Sequence, residues 1–150
     1  MEKHIKQAKH NKSLLEHLIT TFPNTYSDWK VTLCFYTAVH YMRALVVKHG
    51  GELVDSHEQI KRMMCPRSVG KICTIKQDQW DNYHGLKVYS ENARYNGILD
   101  IDDHEEVNSD NLKGALTMLD RFEKYVERIA TAKVAEEKGQ AVDKKQHKAK

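Results

Sequence analysis

The sequence predicts an all-α protein, an antiparallel bundle of four to five helices. Three observations lead there. Apolar residues recur at three- and four-residue steps over most of the 150 residues, the period of a helix buried on one side. Only two prolines and seven glycines interrupt the chain, and no sustained Val/Ile/Thr alternation marks a strand. Connections between the periodic segments are short, as in helical bundles.

The first helix is read over residues 2 to 22, where Ile5, Ala8, Leu15, Leu18, Ile19 and Phe22 form an apolar stripe between lysines and Pro23 supplies the stop. Ser27 or Asp28 is placed to cap a second helix over residues 29 to 47, WKVTLCFYTAVHYMRALVV, ended by Gly50-Gly51. That segment is apolar almost all the way round, which puts it in the middle of the bundle. Ser56-His57-Glu58-Gln59 has capping-box form and opens a short third helix that runs to Cys65 before Pro66. Residues 67 to 78 read equally as loop or helical turn. A fourth helix follows over about residues 79 to 96 on the stripe Leu86, Tyr89 and Ala93. The acid-rich segment from Asn96 to Ser109 reads as a loop, with Asn108 or Ser109 capping a last long helix. There Leu112, Ala115, Leu116, Leu119, Phe122, Val126 and Ile129 keep the helical period, and Asp120 and Lys124 make an i,i+4 pair. Beyond about residue 132 the apolar pattern fades. The expected division is a bundle over 1–132 and a frayed helix end with a basic, solvated tail over 133–150.

Charge follows the same division. The six lysines and three acids of residues 133–150 account for the whole net charge of +3, so the preceding body balances 18 basic against 18 acidic residues. A global nucleic-acid-attracting field is therefore absent, and any RNA contact has to be local. No apolar run approaches the roughly 20 residues that span a bilayer, and residues 1 to 12 lack an apolar signal core. The three cysteines, Cys34, Cys65 and Cys73, show no zinc-type spacing and read as reduced thiols, which suits a cytoplasmic protein. The acidic stretch at Asp100, Asp102, Asp103, Glu105 and Glu106 lacks the glycine turn of a calcium loop. No metal or cofactor is expected.

The second helix carries a polar strip. Tyr36, His40 and Arg43 fall within a wedge of roughly 60° at the helical period. Burying an imidazole and a guanidinium is costly without partners or water. Either the strip is a satisfied core network, or it faces a groove. On the fourth helix Tyr83, Lys87, Ser90 and Arg94 share a face of similar width. Its bland reading is a solvated helix surface; its sharp one is the far wall of a phosphate-binding groove. The two readings differ in whether the strips meet.

The segments W-K-V-T-x-x-F-Y-T-A-V-H (Trp29 to His40), S-H-E-Q (Ser56 to Gln59) and S-x-x-A-R-Y (Ser90 to Tyr95), in this order, resemble small prokaryotic members of the HEPN (higher eukaryote and prokaryote nucleotide-binding) superfamily. The resemblance covers about residues 25 to 130. It implies a helical bundle that dimerises, and a place in a toxin–antitoxin or defence-type system with an antitoxin as a protein partner. Many such proteins are metal-independent endoribonucleases; others are non-catalytic scaffolds or nucleotide-binding modules. Catalytic members carry an R-x(4–6)-H pair. Arg94 stands at the corresponding place, but nine residues separate it from His104, whereas Arg43 and His49 have the spacing on the wrong helix.

The chemistry of metal-free RNA cleavage needs a base for the 2′-OH, an acid for the 5′-oxygen and a cation for the phosphorane, roles that histidine and arginine fill. Arg94, His104 and His40 are accordingly the catalytic candidates. Tyr36, Arg43, Lys87, Ser90 and Tyr95 are the candidates for holding RNA phosphate or a nucleotide.

Overall fold

The computed structural model describes the backbone of residues 1–52, 54, 56–73, 75–95 and 101–146, and the side chains of these residues except 101 and 131–146. The described residues form five α-helices and no strand: α1 (Glu2–Thr21), α2 (Ser27–Lys48), α3 (His57–Met64), α4 (Gln77–Tyr95) and α5 (Ile101–Gln146). The helix α2 packs against all four others, and α4 also packs on α5.

Its composition explains that position. Val31, Cys34, Phe35, Ala38, Val39, Tyr41, Met42, Leu45 and Val46 are buried on several sides of α2, and only the strip through Trp29, Tyr36, His40 and Arg43 is left exposed or half-buried. A helix apolar over most of its circumference is stable only when enclosed on those sides. Its end is a Schellman motif. Gly50 takes φ +79°, its N–H donates to Val47 O at 3.2 Å, and the Gly51 N–H donates to Val46 O at 2.9 Å. A side chain at Gly51 would come within 2.6 Å of Val46 and Ile72.

The start of α2 differs from expectation. The helix begins at Ser27 itself, after Tyr26 in the left-handed region at φ 61°, and no side chain of the segment caps it. Glu105 does so instead, its two carboxylate oxygens accepting the Ser27 N–H at 3.1 and 3.2 Å. A carboxylate at a helix N-terminus also meets the positive end of the helix dipole. Close by, the fully buried Lys30 donates its ammonium to the carbonyls of Phe22 at 2.5 Å and Pro23 at 3.3 Å. Burial pushes the Lys30 pKa down, and the field of Glu105 acts against that. This one lysine ties the end of α1 to the beginning of α2.

The capping box at the start of α3 is present in full: the Gln59 N–H donates to Ser56 Oγ and the Ser56 N–H donates to the Gln59 side chain. In α4, Trp80 and Tyr83 join Leu86 and Ala93 in the core.

The largest departure from the sequence reading is α5. Residues 101–109, expected as part of a loop, are its first turns; residues 96–100 lie outside the described residues. Asp102 and Asp103 sit in the first turn, where acids favour helix. Asn108, expected as a cap, is buried inside the helix and its Nδ2 donates to the His104 carbonyl at 2.8 Å. Docking of Glu105 on α2 and of His104 on α4 supplies the tertiary contacts that turn an acidic stretch into helix. Further along, Ala115, Leu119, Phe122 and Val126 enter the core as their period predicts.

Candidate phosphate-binding groove

The polar strips of α2 and α4 meet. Arg94 Nη1 donates to the Tyr36 hydroxyl at 3.4 Å, while Arg94 Nε donates to the Ser90 carbonyl at 3.0 Å and so pins the side chain along its own helix. The guanidinium carbon lies 5.8 Å from the Tyr36 ring centre and 5.1 Å from that of Tyr95. Both are within the range of cation–π attraction.

Below this bridge, α3 contributes His57. Its Nδ1 lies 3.3 Å from the Tyr83 hydroxyl, and its ring is 5.0 Å from that of Phe35. Burial holds the His57 imidazole below its usual pKa, and the charges of Lys87, Arg43 and Arg94 act the same way, against Glu91. Lys87 pairs with Glu91 at 2.5 Å, and that bond is the main cause of a lowered Glu91 pKa. Tyr83 is buried, and burial raises its phenol pKa.

On the α1 side, His40 stacks on His4 with ring centres 5.9 Å apart and planes 27° from parallel. His40 Nδ1 is buried with no hydrogen-bond partner among the described residues. Both imidazoles have lowered pKa values, with burial first among the causes and Arg43 a contributor to each. Arg43 thus acts on His4, His40, His57 and Tyr83 together, which places its charge at the centre of the cluster. The result is three neutral-leaning imidazoles around fixed cations.

Of the residues singled out from the sequence, Tyr36, Arg94 and Tyr95 come together at the α2–α4 bridge, and the charges of Arg43 and Lys87 reach the histidines beside it, Arg43 acting on His40 and both on His57. Ser90 does not line the groove: it is fully buried and its hydroxyl has no partner among the described residues, so it stands behind the wall instead of holding a ligand. Its spacing from Arg94 is that of one helical turn, but α4 is buried on that side. His104 sits at the far end of α4, with Nε2 3.0 Å from the Ala93 carbonyl. That bond requires the proton on Nε2 and spends one ring nitrogen on tying α5 to α4. His49 is the exposed C-cap of α2, six residues after Arg43 and on a different face.

Two members of the cluster were not among the candidates. His57 reads in the sequence as part of a capping box, and nothing local signals that α3 turns it inward. His4 carried a usable signal: it shares a helical face with Ala8 and Leu15, the buried residues of α1.

No group of three or more metal-ligating side chains occurs among the described residues. None of the described helices is long and apolar enough to cross a membrane. No protein-family model matches the chain, and neither does any curated protein or solved structure.

Proposed function

We propose that this chain is a HEPN-type RNA-binding module that cleaves RNA without a metal, working as a homodimeric effector of a toxin–antitoxin or defence-type system. The observation that carries the reading is that two neutral-leaning histidines, His40 beside α1 and His57 on α3, both feel the Arg43 charge, next to the bridge that Arg94 makes to Tyr36 between α4 and α2.

That arrangement suits phosphoryl chemistry. A neutral imidazole is ready to take the 2′-OH proton as the oxygen attacks the adjacent phosphorus. Arg43, Arg94 and Lys87 offer cations for the negative charge that builds on the phosphorane. A bound phosphate opposes the cation field and raises the pKa of a nearby imidazole, so RNA itself would supply the second, protonated histidine that the leaving 5′-oxygen needs. The products of this route are a 2′,3′-cyclic phosphate and a free 5′-OH.

The test is incubation of the purified chain with end-labelled RNA in excess chelator. Cleavage leaving cyclic phosphate ends, lost in His40→Ala, His57→Ala and Arg43→Ala variants that keep their helical circular dichroism, supports the enzyme. The second reading is a non-catalytic phosphate- or nucleotide-binding module. It is favoured by His104, whose bond to the Ala93 carbonyl takes the expected partner of Arg94 into a structural role. Binding of a labelled nucleotide that is lost in Arg43→Ala, with no turnover, would select it.

A further inference from the structure

Among the described residues Tyr41, Tyr83 and Phe122 are enclosed and Tyr89 and Tyr125 partly buried, whereas Phe22 and Tyr26 at the α1–α2 turn and Trp29, Tyr36 and Tyr95 are exposed, the last three at 61%, 40% and 73%. An indole left in water forgoes a large hydrophobic gain, so an exposed tryptophan beside two exposed tyrosines calls for a reason. Trp29 and Tyr36 are seven residues apart on α2, two turns along the same face and about 10 Å from each other. Tyr95 reaches this edge from α4 through Arg94, whose guanidinium lies against both tyrosine rings. The row of flat groups therefore ends where the cation and histidine groove begins.

We propose that Trp29, Tyr36, Arg94 and Tyr95 form a stacking platform for the unpaired bases of single-stranded RNA, which run into the groove that holds the phosphate. This rests on reading the groove as an RNA site and names the substrate class it takes. Aromatic faces and guanidinium planes stack on any base, whereas a duplex keeps its bases stacked on one another and offers the platform only backbone. The Arg94 guanidinium, lying against two exposed tyrosine rings, supplies the cation that favours a nucleic-acid strand there, while Lys87 is paired with Glu91 and Asp28 and Glu105 lie at the Trp29 end.

The experiment uses the full chain and an uncleavable 2′-O-methyl RNA decamer. The same decamer with every base removed and a duplex of the same sequence serve as companions. Trp29 is exposed and Trp80 is largely enclosed, so quenching of the indole emission reports the platform directly. The expected result is quenching by the single strand that disappears in Trp29→Phe, together with about tenfold weaker binding in Trp29→Ala and in Tyr95→Ala. The duplex and the base-free strand bind more weakly than the single strand. A base-free strand that binds as tightly as the decamer overturns the platform and leaves the groove reading standing. Failure of every strand to bind removes the groove reading and the platform with it. A ligand-free Trp29→Ala protein that sediments as a smaller species, with unchanged affinity for the decamer, assigns the patch to a protein interface and overturns the proposal.

Discussion

The Arg94 guanidinium joins α4 to α2 by donating from Nη1 to the Tyr36 hydroxyl at 3.4 Å, while its Nε holds the Ser90 carbonyl at 3.0 Å. The guanidinium carbon is thus held within cation–π range of both tyrosine rings. Arg94→Lys keeps the charge but loses the planar fork and both stacking faces. Affinity for a single-stranded oligonucleotide, read by fluorescence anisotropy, should fall about tenfold in both Arg94→Ala and Arg94→Lys. Recovery of wild-type binding by lysine would reduce the residue to a point charge. Since the guanidinium is exposed, chemical stability should change by less than about 0.5 kcal/mol.

Protonation of the groove should destabilise the fold. Burial holds His4, His40 and His57 below the value of about 6.5 at which they titrate in the unfolded chain. Between the folded values and 6.5 the unfolded chain binds more protons, so stability falls as pH drops through that window and is complete above it. Urea midpoints should therefore decrease from pH 7.5 to pH 5.5. His40→Gln should flatten part of that slope. A stability profile level across the window would contradict half-buried, neutral histidines.

Away from the groove, Glu123 is buried and accepts a hydrogen bond from the Tyr41 hydroxyl at 2.6 Å as well as one from Lys12, linking α1, α2 and α5. Burial, then Glu123, raises the Tyr41 pKa, which keeps it a donor at all ordinary pH. Tyr41→Phe should cost about 1.5–3 kcal/mol in urea unfolding, the value of a hydrogen bond to a charged group. Lys12→Ala leaves the buried Glu123 carboxylate with Tyr41 but without its countercharge and should cost at least as much, about 2–4 kcal/mol.

The Glu105 carboxylate at the Ser27 N–H makes α5 a cap for α2. Glu105→Ala should lower stability by about 1–2 kcal/mol through loss of the cap, and Glu105→Gln by less, because the amide oxygen still accepts. Faster hydrogen exchange at Ser27 and its neighbours in Glu105→Ala would locate the loss.

Thiol reactivity should be ordered by burial. Cys34 is fully enclosed and its thiol is pushed up to about 12, so it should resist a thiol reagent until the chain unfolds. Cys73, only partly buried, should react first in the native protein.

Much of this fold was legible locally. The Gly50-Gly51 stop and the Ser56/Gln59 capping box depend on φ preferences and on hydrogen bonds within a few residues, and both stand as read. The same locality explains the misreading at residues 101–109. Asp and Asn there favour turns in isolation, but Glu105 and His104 each gain a partner on another helix, and those partners are invisible in a window of neighbouring residues. Ser90 failed for a related reason: one helical face can be assigned from spacing, but not which neighbour covers it.

The order and period of apolar residues by themselves determined a helical bundle with α2 at its centre, because burial of apolar area follows helical spacing. Spacing also put Tyr36, His40 and Arg43 on one strip and Lys87 and Arg94 on another. Only the tertiary structure decided that the strips meet, that His57 and His4 join them, and that His104 is held at a backbone carbonyl instead. Those outcomes depend on crossing angles and on contacts between residues far apart in the chain, where desolvation and the field of Arg43 act through space.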